Sequence, residues 1–160
     1  TLPTGKTFRA EPAARFAVSC LARAAVLRAG ARGPANDRHL ASLELIAPKW
    51  ADWDGYWGPD LAGSTLRALA ASGSHGEVAE QLAGIIADHQ QPDGTWRNGE
   101  TFHLLDGLAD LDGPNARRAI LGALPGLLAR QRSDGSIGGS GAEERSLIAV
   151  RALLKVRGER

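Results

Sequence analysis

The feature that most constrains this 160-residue chain is an internal repeat of about forty residues. Three Asp-Gly turns mark it: DWDGYW at 52–57, PDGTW at 92–96 and SDGSIG at 133–138. The spacing between their glycines is 39 and then 41 residues, for Gly55, Gly94 and Gly135. Repeats of this length are typical of stacked units, because each unit buries its apolar face against its neighbours.

The segments between the turns have the apolar spacing of amphipathic helices. In 75–89, Val78, Leu82 and Ile86 fall on one helical face, and 115–131 repeats the pattern. Alternating runs of Val, Ile and Thr, which are typical of strands, are nearly absent. We therefore predict an all-α array of helical hairpins with about seven helices, near 11–29, 36–47, 60–72, 75–90, 100–112, 115–131 and 142–157.

The helices should alternate between two layers. Those near 60–72, 100–112 and 142–157 are rich in Ala, Gly and Ser, which permits close packing in an inner layer. Those near 75–90 and 115–131 should form the outer layer. We expect residues 11–160 to form a single helical-repeat domain behind a flexible N-terminal arm at 1–10.

Composition narrows the classes of partner and location. The net charge of +1 favours no nucleic acid partner, and no apolar run approaches the roughly 20 residues of a spanning helix. Cys20 is the only cysteine, so no intrachain disulfide can form. We predict a chain without a transmembrane segment in the reducing cytoplasm.

The turns carry a more specific motif. Gln90-x-x-x-Gly94-x-Trp96 matches the pattern Q-x-x-x-G-x-W, and residues 131–137 match it with Ile137 in place of the aromatic. Residues 51–57 keep the glycine and Trp57 but lack the glutamine. Residues 40–157 thus resemble the prenyltransferase and squalene-oxidase repeats of the terpene cyclase and protein prenyltransferase superfamily, as in squalene–hopene cyclases. Complement-type thioester domains and some polysaccharide lyases also use Q-x-x-D-G turns.

The resemblance implies an α/α toroid in which these turns brace the outer rim. The glycine supplies a positive φ, the aspartate accepts local backbone N–H groups, and the aromatic ring covers the glutamine. A closed toroid of that family has six hairpins, whereas this chain offers about three and a half. We therefore expect an incomplete toroid that a homodimer, or a partner domain or subunit, completes.

The chemistry of the superfamily does not transfer residue by residue. Its zinc enzymes use Asp, Cys and His, but Cys20 has no Asp-x-Cys pattern and the histidines lack ligand spacing. The acid motif D-x-D-D is matched only in part, at residues 52–55 and 110–113, which both lack the last Asp, and D-D-x-x-D is absent. We predict no metal site and no cofactor.

One polar stripe is a candidate site. His103, Asp106 and Asp110 follow i, i+3, i+7 on an otherwise apolar helix, which is costly unless the groups are paired or face a wet cavity. One hypothesis makes Asp106 a catalytic acid or ligand contact, tuned by His103 and Asp110. The other pairs Asp106 with Arg151 of the adjacent inner helix and leaves Asp110 on a solvated helix end.

Two function classes follow from these observations. The first is a terpene cyclase-like domain, an isomerase or lyase that acts on or binds an isoprenoid or another apolar small molecule. The second is a non-catalytic helical-repeat module that binds a partner protein or an apolar ligand. The Q-x-x-x-G-x-W turns favour the first class, because they indicate common ancestry with the superfamily. The absence of its catalytic motifs favours the second class.

Overall fold

The computed structural model describes residues 7–56, 58–139 and 141–157, and within these ranges its regular elements are all helices, without a β-strand. The all-α prediction is therefore confirmed for this part of the chain. The α-helices are α1 Glu11–Arg28, α2 Pro34–Leu45, α3 Pro59–Ser72, α4 Gly76–Asp88, α5 Thr101–Leu108, α6 Pro114–Gly122, α7 Leu124–Leu128 and α8 Ala142–Arg157. A 3₁₀ helix at Ala47–Ala51 follows α2.

The helices pack in two rows. In the first row α1 packs on α3, α3 on α5, and α5 on α8. In the second row the 3₁₀ helix packs on α4, and α4 on α6. This grouping matches the predicted alternation of layers, while the toroidal curvature implied by the resemblance stays a prediction.

The core is centred on α3 and α5. Every residue of α5 is buried, and α3 is buried except at Arg67, Ala70 and Ala71. Glycines bring the two backbones together: a Cβ on Gly63 would lie 3.1 Å from the His103 ring, and one on Gly107 would lie 3.3 Å from the Gly63 carbonyl oxygen. Small residues in this row therefore allow the close packing expected of the inner helices.

Two predicted helices differ from the structure. The helix expected over 115–131 is interrupted at Ala123, because Pro125 has no N–H and its ring conflicts with the carbonyl of Leu121. The helix expected over 100–112 ends at Leu108. Beyond it, the N–H groups of Asp110 and Leu111 bond three residues back, the tighter pattern that closes a helix end.

Two further sequence predictions concern the N-terminal arm and membrane-spanning helices. Residues 1–6 of the expected flexible arm lie outside the described residues, whereas 7–10 are present without regular structure. Across the described ranges, no helix has both the length and the hydropathy required to cross a bilayer.

Candidate functional site

The turn at 90–96 has the internal geometry expected of its motif. Gly94 adopts a φ of +81°, which the chain reversal requires. Asp93 Oδ1 accepts the backbone N–H of Thr95 at 2.9 Å and its hydroxyl at 2.7 Å. These bonds lower the pKa of the Asp93 carboxyl, and the hydrogen bond from the Thr95 hydroxyl is the largest cause. Gln90 Nε2 donates to the Gly94 carbonyl at 3.3 Å and thereby spans the turn.

The same turn docks against the junction of α6 and α7. Gln90 Nε2 donates to the carbonyl of Ala119 at 3.0 Å, which gives this carbonyl near the end of α6 a second donor beside the Ala123 N–H. A Cβ on Gly94 would meet the Gly122 carbonyl oxygen at 2.6 Å, which explains why the turn tolerates no side chain there. Trp96 is 3% exposed, and its Nε1 donates to the Ile86 carbonyl at 2.7 Å. The motif therefore fastens one second-row helix to the next.

The turn at 131–137 repeats the internal geometry without the docking. Gly135 has a φ of +84°, and Asp134 Oδ1 accepts the N–H and the hydroxyl of Ser136 at 2.9 and 2.6 Å. Gln131 Nε2 lies 3.5 Å from the Gly135 carbonyl oxygen. Residues 131–135 are all exposed, whereas Gln90 and Gly94 are not. Two turns of one local design thus have different surroundings.

The first turn region departs from this design. Gly55 does not adopt the left-handed conformation of Gly94 and Gly135. Trp53 instead stacks on His89 at the end of α4, with ring centroids 4.7 Å apart. The aromatic that the motif predicts, Trp57, lies outside the described residues.

The structure pairs Asp106 with two arginines. Arg67 Nη1 of α3 lies 2.6 Å from Asp106 Oδ2, and Arg151 Nη1 of α8 lies 2.5 Å from Asp106 Oδ1. The aspartate side chain is 7% exposed, so both of its oxygens are held in a buried ion-pair network. The pairing with Arg151 is the one that the second hypothesis for the polar stripe predicts.

Asp110 belongs to the same network and does not stand on a solvated helix end as expected. Its side chain is 15% exposed, Oδ1 accepts Arg151 Nη2 at 2.9 Å, and Oδ2 is paired with Arg28 of α1. The reason is that Arg151 forks between Asp106 and Asp110, which the planar guanidinium favours. We call these five residues the Arg–Asp network: Arg28, Arg67, Asp106, Asp110 and Arg151.

Aligning the starts of α3 and α5 in the sequence predicts a register that differs from the observed one by about one helical turn. Aligning Thr65 with Thr101 puts Arg67 level with His103. In the structure Gly63 lies against His103, while the Cγ of Arg67 lies 3.2 Å from a Cβ placed on Gly107. Arg67 therefore reaches Asp106, a partner that the alignment did not identify.

His103 points towards α3. Its Nε2 lies 3.0 Å from both Ser64 Oγ and the Asp60 carbonyl oxygen, and Ser64 Oγ donates to the same carbonyl at 2.9 Å. Burial lowers the pKa of His103, more than the nearby Asp60 charge raises it. A serine beside an imidazole is a pairing used for nucleophilic catalysis. Here Ser64 is 0% and His103 1% exposed, so the pair is closed to substrate in this conformation.

A second polar cluster holds the other end of α5, and sequence reasoning missed it. Glu100 caps the helix by accepting the His103 N–H at 2.7 Å, and its own N–H donates to Asp60 Oδ1 at 3.0 Å. Arg145 of α8 lies 3.9 Å from Glu100 and over the Phe102 ring. Burial raises the pKa of Glu100. The available signal was the presence of charged residues at otherwise buried helix starts.

The candidate residues do not line the cavity at the start of α3. That cavity measures about 450 Å³ and is lined by residues that include Arg9, Trp53, Tyr56, Asp60 and Asn98. A second space of about 450 Å³ borders Asp110, together with Glu80 and Asp112. Within the described ranges, no group of three or more His, Cys, Asp or Glu side chains is arranged to hold a metal ion.

The single thiol is also enclosed. Cys20 of α1 is 0% exposed, and burial raises its pKa to about 12, although a hydrogen bond with Thr65 lowers it in part. The thiol is therefore protonated at neutral pH and does not have the low pKa of a nucleophilic cysteine.

Comparison with known proteins adds no relative: no protein-family model, curated protein or solved structure matches this chain. The functional argument therefore depends on the geometry of the chain itself.

Proposed function

We propose that this chain is a non-catalytic helical-repeat module that binds another protein surface. The observation that carries the proposal is the Arg–Asp network, in which both oxygens of Asp106 are paired with arginines of α3 and α8. A catalytic acid must release and recover a proton at a reacting atom. A carboxylate whose two oxygens are both paired with guanidinium groups is instead suited to joining helices.

The network extends across the whole first row. Arg28 of α1 pairs with Asp110, and Arg151 of α8 pairs with both Asp106 and Asp110, so the charges connect α1, α3, α5 and α8. At the opposite end of α5, Glu100 is the centre of a second set of polar contacts. We infer that His103, Asp106 and Asp110 position helices, and that the functional surface lies elsewhere.

The substitution Asp106→Asn tests the structural role. It leaves Arg67 without its carboxylate partner, and Arg151 with Asp110 alone, in a place where Asp106 is 7% and Arg67 19% exposed. Breaking such a buried pair costs about 3–5 kcal/mol, which we reduce to about 2–4 kcal/mol because Arg151 is 42% exposed. Thermal unfolding should move down by about 6–12 °C for a chain of this size.

The matched control is Asp112→Asn. The Asp112 side chain is 91% exposed and paired only with Lys155 among its described contacts, so its removal should change stability by less than about 0.5 kcal/mol. Equal losses from the two variants would contradict a special role of the network.

A ligand titration tests the absence of catalysis at this site. We expect farnesyl diphosphate, added to the 160-residue chain and followed by tryptophan fluorescence, to give no saturable change. Saturable binding that Asp106→Asn abolishes and Asp112→Asn preserves would overturn the proposal and restore Asp106 as a ligand or acid residue.

A second candidate function is a terpene cyclase-like domain that acts on an apolar substrate. The observation that favours it is the pair of turns at 90–96 and 131–137, whose glutamine, aspartate and glycine make the same bonds in each. For either function we also propose a cytoplasmic location, which the lone buried thiol of Cys20 supports.

A further inference from the structure

The end of the first row presents an apolar surface. On α8, Leu147, Val150 and Leu154 follow i, i+3, i+7 and are 57%, 50% and 59% exposed. We call this stripe the α8 face. The opposite side of α8 is buried against the core through Ile148, Ala149 and Ala152. The helix is therefore apolar on two sides, and only one side has a partner within the described chain.

The neighbouring helices support the same conclusion. The turn at 90–96 is covered by α6 and α7, whereas residues 131–135 of the equivalent turn, which leads into α8, are exposed. Leu121 and Leu128 of α6 and α7 are also exposed, and α6 packs beside α8. In a stacked array, such a surface is one that a further unit would cover.

The charges along α8 identify the partner. The first turn of the helix carries Glu143 and Glu144, and the last turn carries Lys155 and Arg157. A second α8 lying antiparallel would place the acidic start of each helix beside the basic end of the other. A parallel pair would put like charges together. The helix is therefore complementary to its own copy in one orientation.

We propose that two copies of this chain associate through the α8 face, as an antiparallel pair of α8 helices related by a two-fold axis. The register that pairs Leu147 with Leu154 of the partner subunit also brings Glu144 level with the partner's Arg157. Val150 then lies next to the two-fold axis. This is an isologous interface, in which one surface serves both copies. The inference rests on the proposed binding function and names its partner.

The expected dimer is of modest affinity. Stable interfaces bury about 1,600 Å² in total, and one pair of helices about 24 Å long supplies only part of that area. The adjacent Leu121 and Leu128 extend the apolar surface. We therefore expect a reversible dimer with a dissociation constant in the micromolar range, on the order of the weaker interfaces of this size.

Sedimentation equilibrium over a concentration series provides the first test. The 16.8 kDa chain should show twice its monomer mass at high concentration. Leu154→Lys should weaken the dimer by roughly tenfold or more, because a charge enters the centre of an apolar contact. Leu45→Lys is the matched control, since Leu45 is 82% exposed on α2, away from the α8 face, and should leave the dimer unchanged. A monomer at all concentrations, or equal effects of the two variants, would overturn the proposal.

Charge exchange tests the register. Glu144→Arg alone and Arg157→Glu alone should each weaken association, since each places like charges together in the antiparallel pair. The double variant should restore association to near the original level. If the double variant is as weak as the singles, the antiparallel register is wrong, even where Leu154→Lys disrupts the dimer.

Cross-linking tests the axis. The thiols introduced by Val150→Cys should form an intersubunit disulfide on mild oxidation, whereas Leu45→Cys should not. Cys20 is buried and does not compete.

A chain that stays monomeric and uncross-linked but binds a helix of a different protein would refute the self-association and leave the proposed binding function intact. Farnesyl diphosphate binding that depends on Asp106 would overturn that function and not the dimer.

Discussion

The two glutamines of the repeated turn offer a comparison within one molecule. Gln90 and Gln131 occupy the same position in the same local structure, each at the start of a Q-x-x-D-G turn. Gln90 adds a hydrogen bond of 3.0 Å to the Ala119 carbonyl of the next second-row helix. Among the described residues, the side chain of Gln131 has only its turn contact at 3.5 Å, and it is exposed. We expect Gln90→Ala to destabilise the chain more than Gln131→Ala does.

The magnitude follows from those contacts. Gln90→Ala removes one good hydrogen bond and one longer one, while the Ala119 carbonyl keeps the N–H of Ala123 as a donor, so at about 1 kcal/mol for each bond the cost is about 2 kcal/mol. Gln131→Ala removes one marginal contact to an exposed turn, which costs about 0.5 kcal/mol or less. For a chain of this length the difference corresponds to about 3–6 °C in the unfolding midpoint.

The assay is paired urea and thermal unfolding, followed by helical circular dichroism. Both variants should keep the spectrum and the urea slope of the parent chain, so that the midpoints report stability. Similar losses for Gln90→Ala and Gln131→Ala would refute the reasoning, since docking against α6 and α7 would then contribute nothing. Gly122→Ala should reproduce the loss, because its Cβ would lie 2.1 Å from Gln90 Oε1.

Three further outcomes are expected. Cys20 should resist iodoacetamide at pH 8 in the folded chain and react after denaturation, since burial raises its pKa to about 12; rapid labelling without denaturant would contradict this. Glu80→Ala should cost about 1–2 kcal/mol by urea unfolding, because Glu80 Oε1 accepts the Asn115 N–H at the start of α6; an unchanged midpoint would show that this cap is dispensable. Gly94→Ala should lose at least about 2 kcal/mol in the same assay, since Gly94 has a positive φ and a Cβ would meet a backbone oxygen at 2.6 Å; a smaller loss would mean that the turn adapts.

The sequence by itself determined the local structure. Apolar spacing predicted each of the seven helical segments, and α8 spans 142–157 as expected. The Asp-Gly turns at 90–96 and 131–137 adopted the expected φ and side-chain bonds, because those contacts lie within a few residues of one another. The break at Ala123 was also encoded locally, in Pro125, and was overlooked.

Part of the candidate site was accessible in the same way. The polar stripe of His103, Asp106 and Asp110 is a helical spacing, and a charge in a buried row requires a partner. That reasoning was sufficient to pair Asp106 with Arg151, which the structure confirms. It was not sufficient to include Arg67 or Arg28, whose positions depend on how far α3 and α1 slide along α5.

Only the tertiary structure decided which similar residues have different roles. The turns at 90–96 and 131–137 are alike in sequence, yet the first is covered by α6 and α7, whereas residues 131–135 of the second are exposed. Likewise Asp110 is paired with two arginines, although its sequence position indicates an exposed helix end. The physical reason is that helix propensity and turn chemistry act over a few residues. Register, burial and ion pairing arise between segments that are about thirty or more residues apart, and the packing of their side chains selects among the available helix contacts.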